Sequence, residues 1–217
     1  MIDKDELKKK LREELLIKFS QSDEFAKKLD KYFSEDKKTL DLRYSNLENA
    51  DLRGLSLQNA ILNHAVLTNA DFSGANLKGA KMMWTNSDHA NFRGAFLIEA
   101  DLRFSRMWYA ILENAYLKGA RMDSIQLYAA KLNFADLEGA TLNGSGLIGT
   151  DLKGANLKDA NITGVNFNGA HFDENTNINC TEYDDITVNY LPREALKAMM
   201  SPDLRAKLEK KFEKNAF

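Results

Sequence analysis

Several things are scarce in this chain of 217 residues, and each shortage closes off a class of protein. There is one cysteine, Cys180, so no internal disulfide framework can form, which suits a reducing compartment. The three histidines, His64, His89 and His171, stand far apart, and no Cys or His spacing matches a zinc site. No glycine string leads from a strand into a helix as a phosphate loop requires, and no Ser, His and acid set offers a nucleophile. No apolar run approaches the roughly 18 residues of a spanning helix, so no membrane contact is expected. The N-terminus, MIDKDELKKK, carries charge where a secretory signal would carry an apolar stretch. A net charge of −2 implies no strong electrostatic partner for the chain as a whole. These exclusions predict a non-catalytic, cytoplasmic protein with no cofactor, no metal and no small-molecule substrate.

What is abundant is a repeat of five. Every fifth residue from Leu42 to Phe172 is large and apolar, with Ser87 as the one exception among 27 positions. Two residues earlier runs a second series, Leu40, Ser45, Ala50, Leu55, Ala60 and on to Ala170, in which 18 of 27 are Ala. A five-residue period turns about 72° per residue and fits neither an amphipathic helix near 100° nor a half-buried strand at 180°. A unit that cannot bury its own apolar face must stack on others of its kind, so the pattern predicts a solenoid.

The units read ADLRG at Ala50–Gly54, ADFSG at Ala70–Gly74, ANLKG at Ala75–Gly79, ADLEG at Ala135–Gly139 and TDLKG at Thr150–Gly154. In these residues the chain resembles the pentapeptide-repeat family. The resemblance implies an all-β solenoid, a right-handed quadrilateral β-helix with four pentapeptides per square coil and large and small apolar residues pointing inward. Every fourth pentapeptide then shares a side. Sorted so, one column of central residues, Leu57 to Leu157, is pure Leu, and Phe72 and Phe92 are neighbours expected to stack inside. The column Ser45, Ala65, Thr85, Ser105, Ile125, Ser145, Val165 holds six of the nine departures from Ala, which marks the second side as different. At about 4.8 Å per rung, nearly seven coils make a rod roughly 30 Å tall.

Residues 39–178 are therefore assigned to the β-helix, 1–38 to an N-terminal helical hairpin and 179–217 to a C-terminal extension with one or two helices. Leu7, Leu11, Leu15 and Phe19 give the first helix one apolar stripe, and Phe25, Leu29 and Phe33 the second. The hairpin is expected to cap the open edge of the first coil. After Asp173 the period breaks, and Glu174 to Tyr190 is expected to be irregular. Pro192 and the Ser201-Pro202 pair then open helical turns. Quinolone-resistance members of the family dimerise through a C-terminal helical segment. Resemblance thus makes a homodimer through Leu196, Met199, Met200, Leu204, Leu208 and Phe212 the alternative to a simple cap.

Some family members imitate DNA and bind gyrase through a strongly negative flank. Between Thr39 and Ile178 this chain has 15 acidic and 12 basic residues, and Arg53, Ser73, Arg93, Glu113, Asn133, Lys153 and Asp173 show how the columns mix sign. A duplex carries one negative charge about every 1.7 Å, and this rod lacks such carboxylate ladders. A topoisomerase-binding DNA mimic conferring quinolone tolerance is the alternative function. Direct nucleic-acid binding is not expected, for want of a basic stripe.

One surface stands apart. Tyr44, His64, Trp84 and Phe104 occupy successive corners before the second side. Trp108, Tyr128 and Ile148 cross that side, and Tyr109 and His89 line its far edge. A contiguous apolar strip of this kind marks an interaction site, with aromatics as anchors. The expected function is a protein–protein interaction scaffold that offers Tyr44, Trp84, Phe104, Trp108, Tyr109, Tyr128 and Ile148 to a partner protein. Cover by a terminal helix of the same chain, or stacking that merely stabilises the coil, are the competing explanations.

Overall fold

In the computed structural model, residues 39–179 are described. The expected helical hairpin over 1–38 and nearly all of the C-terminal extension, with Leu196 to Phe212, lie outside them.

Both periods take physical form. Asp41 pairs in parallel with Ile61, Ile61 with Lys81, Lys81 with Asp101, and so on through Thr141 and Asn161. Three further ladders start at Asn46, Asp51 and Ser56 and step to Val66, Asp71 and Asn76, so each rung is one full coil and the coil has four sides. We number the sides from these ladders and the coils from Leu40, Ala60, Ala80, Ala100, Ala120, Ala140 and Ala160.

The pentapeptide satisfies its own backbone, which explains its composition. In Ala70–Gly74, the Ala70 N–H donates to Leu67 O at 3.0 Å and closes the preceding turn, and Asp71 N–H reaches back one coil to Ala50 O at 2.9 Å. Phe72 and Gly74 donate forward to Asn91 O and Arg93 O at 2.7 and 2.9 Å. The fifth amide, Ser73 N–H, donates to the Asp71 carboxylate at 2.8 Å. The Asp or Asn ahead of the central residue is thus an Asx acceptor for the one amide that no carbonyl reaches. Where that residue is Lys81, Arg106 or Thr141, a side chain from the coil before takes over. Asn63 Oδ1 accepts from Met83 N–H, Asp88 Oδ1 from Trp108 N–H and Asp123 Oδ1 from Asn143 N–H, at 3.0, 3.1 and 3.2 Å.

The interior is filled by the two series. The pure Leu column and its Ala neighbours are essentially inaccessible, and Phe72 and Phe92 stack with centroids 5.0 Å apart and planes 4° from parallel. Each fully buried Leu or Phe contributes about 1.5–3 kcal/mol relative to exposure. Ser87, the polar exception, sits in a buried hydroxyl chain under the second side. Its Oγ donates to Thr85 Oγ1 at 3.2 Å, Thr85 Oγ1 to Ser105 Oγ at 3.1 Å, and Ser105 Oγ to Met82 O at 2.6 Å.

The period does break after Asp173, but the stretch expected to be irregular from Glu174 returns to regular pairing at Asn177. Asp151 pairs with His171, which is the regular step, but Asn156 pairs with Asn177, one position beyond it, and Ile178 is buried. A single extra residue has been inserted and the side continues. Thr176 makes this possible: its Oγ1 accepts from Asp173 N–H at 3.1 Å and Gly154 N–H at 3.2 Å and lies 3.0 Å from Leu152 O. The turn bond itself is kept one residue late, with Thr176 N–H donating to Asp173 O at 3.1 Å, and the hydroxyl holds the bulge around it.

Candidate functional site

The corner residue of each unit adopts a left-handed backbone, with φ between 51° and 70° wherever it is positive. A turn with positive φ at its third residue favours Gly or Asn, and Gly occupies 11 of these corners, from Gly54 to Gly169. Trp84 at φ 59°, Phe104 at 63°, Tyr109 at 59° and Tyr44 at 58° are bulky residues in the same conformation. Each costs about 1–2 kcal/mol there. Stacking returns about 0.5–1.5 kcal/mol per aromatic pair, so the ladder gains the coil little net stability.

The rings stack as the sorting by whole coils predicts. Tyr44 lies on His64 at 4.9 Å, His64 on Trp84 at 6.5 Å and Trp84 on Phe104 at 4.5 Å, with planes within 12° of parallel throughout. Across the second side, His89 stacks on Tyr109 at 5.0 Å, and Tyr128 meets Tyr109 and Trp108 edge-on at 5.5 and 6.4 Å. Tyr44 is 74%, Trp84 53% and Phe104 38% exposed, and Trp108, Tyr109, Tyr128 and Ile148 are exposed too. All seven proposed contact residues thus lie along one side and its two corners. Phe96 and Tyr116 stack separately on the fourth side at 4.8 Å.

Trp108 is the most firmly placed of these. Asp88 accepts its amide and also pairs with Arg106 at 2.8 Å, and the Arg106 guanidinium lies 4.9 Å from the Trp108 ring centroid. The indole therefore carries a cation and also helps to line a pocket of about 410 Å³, together with Tyr109, Gln126, Tyr128, Gly146 and Ile148. The strip of aromatics did not reveal this concavity. It exists because Gly146, where every other coil projects a side chain, has nothing within 4 Å of the place a Cβ would occupy. Phe134 is absent from the expected set: it is 59% exposed at a corner of the third side, and its ring covers Gly154 of the next coil. The signal was present in the corner column Gly54, Gly74, Gly94, Asn114, Phe134, Gly154, where it is the one bulky member.

Charges on the other sides neutralise one another along the ladders. Arg93 pairs with Glu113, Lys118 with Glu138, and Asp101 with both Arg103 and Arg121. Burial alone would raise the Asp101 pKa, but hydrogen bonds and charge from Arg103, with the charge of Arg121, outweigh it and hold the carboxyl below its usual range. Among the described residues no group of His, Cys, Asp and Glu could hold a metal ion, and no helix is long and apolar enough to cross a membrane.

Comparison with known proteins gives the chain its family. A family model described as pentapeptide repeats matches in eight copies over residues 50–86, 88–119, 112–144 and 135–173, more than half of the chain. No curated protein matches. Among solved structures, a pentapeptide repeat protein, Rfr23 from the cyanobacterium Cyanothece 51142, shares 25% identity over 48% of this chain and 64% of its own, with a TM-score of 0.31. This chain thus spans slightly under two thirds of that relative. HetL, a pentapeptide repeat protein involved in heterocyst differentiation regulation from Nostoc sp. PCC 7120, shares 24% over 62% and 74%, with a TM-score of 0.23. QnrB1, a plasmid-mediated fluoroquinolone resistance protein, shares 16% over 81% and 94%, with a TM-score of 0.39. Such superpositions carry no argument about function. The repeat match does carry the family, and the chain belongs to the pentapeptide-repeat proteins.

Proposed function

We propose that this protein is a non-catalytic cytoplasmic scaffold, a right-handed four-sided rod that binds another protein through its second side. The observation that carries this is the row of exposed aromatics in left-handed backbone, Tyr44, Trp84, Phe104 and Tyr109. Left-handed backbone is shared by non-aromatic corners such as Glu99, Ser124 and Ala129, so what supports the reading is that these corners carry large exposed rings in line, whose stacking adds little net stability. A backbone with its amides already paired loses little entropy on docking, so a few rigid rings suffice as anchors. The DNA-mimic alternative takes second place because the carboxylates of the described ladders are interleaved with Arg and Lys partners.

The test is to change Trp84 and Trp108 together to Ala and compare the proteins retained from lysate by the parent and the variant. Loss of the retained partner is expected. If the double variant retains the same proteins, the second side is not the contact surface. Inhibition of gyrase supercoiling that weakens on neutralising Asp51 and Asp71 would instead support the mimic.

A further inference from the structure

We infer that one occupant of the second side is a second copy of this chain, packed face to face and antiparallel about a two-fold axis crossing coil 4. This deepens the scaffold proposal and rests on it. In that arrangement coil 1 faces coil 7, coil 2 faces coil 6, coil 3 faces coil 5, and coil 4 faces itself.

Shape supports it. The bulky corners Tyr44, His64 and Trp84 of coils 1 to 3 come opposite Gly164, Gly144 and Ser124 of coils 7 to 5. Val66, an exposed aliphatic residue of coil 2, comes opposite Gly146 of coil 6, so the one protruding Val of the ladder meets the one missing side chain. The pocket of about 410 Å³ beside Gly146 has room for Val66 with its neighbour Thr68. A parallel pairing sets Trp84 against His89 and Phe104 against Tyr109 and leaves Gly144 facing Gly149 across a gap. The antiparallel pairing confines ring-on-ring contact to coil 4, where Phe104, Trp108 and Tyr109 each meet their own copies.

Charge supports it as well. On this side every charged residue, Glu48, Asp88 and Arg106, lies in coils 1 to 4, and coils 5 to 7 have none. Antiparallel packing puts Glu48 opposite the Asn168 amide and Asp88 opposite the Tyr128 hydroxyl, each a donor for a carboxylate. Of these three charged residues only Arg106 meets its own copy, and each Arg106 is already paired with Asp88 at 2.8 Å. A side about 30 Å tall and about 15 Å wide, with its relief, buries on the order of 1,000 Å² over both copies, the small end of specific interfaces.

The test uses the full chain with Cys180 replaced by Ser. Sedimentation equilibrium should show a monomer–dimer equilibrium, weakened about tenfold or more in Gly146→Tyr, which fills the pocket without backbone strain. Val66→Asp, at an exposed position, should do the same. Circular dichroism establishes that each variant is folded. Oxidised glutathione should cross-link the Val66→Cys, Gly146→Cys double variant into a dimer. Either single variant should stay uncross-linked, because like positions lie four rungs, about 19 Å, apart. A monomer at all concentrations, a dimer that does not cross-link in the double variant, or one cross-linked by a single variant would each overturn the inference. A strict monomer that still retains a partner through Trp84 and Trp108 would sink this inference alone and leave the scaffold proposal standing.

Discussion

Ser105 shows how much one small side chain does inside this coil. Its Oγ accepts the Thr85 N–H at 3.3 Å and donates to Met82 O, so one hydroxyl does the work that neighbouring turns assign to a backbone bond. Changing Ser105 to Ala leaves the Thr85 amide buried and without that acceptor, a loss of about 1–3 kcal/mol. Denaturant unfolding should show a lower midpoint at unchanged slope. An unaltered midpoint would mean that the cavity relaxes around the amide. The sequence showed that Ser45, Thr85, Ser105 and Ser145 crowd one column. It did not show why, because the partners are carbonyls and carbonyls leave no mark in a sequence. Gly146 was illegible for the opposite reason: a glycine at a bridge position states what is missing, and only the positions of Trp108, Tyr128 and Ile148 around it turn the gap into a pocket.

The pentapeptide is an unusually legible element. Its five-residue period, its central Leu or Phe and its leading Asp or Asn each map onto one physical task, and with the four-unit coil that the family resemblance implies, the Phe72–Phe92 and Trp84–Phe104 stacks could be foreseen. The last unit was harder to read because Glu174 and Asn175 break the spelling while Thr176 preserves the geometry. Thr176→Val keeps the shape and removes the hydroxyl that serves Gly154, Asp173 and Leu152. Hydrogen exchange should then quicken at Leu157 and Asn177, whose amides bond across this seam to Asn177 O and Ala155 O, while Phe72 and Phe92 in the middle coils keep their protection. Equal quickening along the whole rod would show that the seam is not a separate cooperative unit.

At the scale of the whole molecule, stability is a sum over coils and the contacts between neighbours. Three carboxylates spread along the array tie it to pH. The Arg43 side chain hydrogen-bonds Asp41 and holds its pKa below the ordinary value. Burial raises Asp101, but Arg103 and Arg121 together bring it below that value too. Burial also raises Asp173, and there the amides of Gly154 and Asn175 and the Thr176 hydroxyl more than reverse it. A carboxyl lowered by folding contributes stability that is present above its unfolded pKa of about 3.9 and is lost as pH falls through the lower folded value. Thermal unfolding should therefore hold steady from pH 7 to 5 and fall between pH 4 and 2, with a smaller fall in Asp101→Asn. A midpoint independent of acid would contradict these assignments.

The closure of each coil after four pentapeptides also governs how such a molecule can change its length. Removing or duplicating one pentapeptide would swing everything downstream a quarter turn, carrying Trp108 and Tyr128 to a neighbouring wall. Removing or duplicating four together would keep every azimuth and move the features only up or down by one rung, about 4.8 Å. The rod is thus a ruler graduated in whole turns, on which the distance between two binding groups can be reset while their bearing stays fixed.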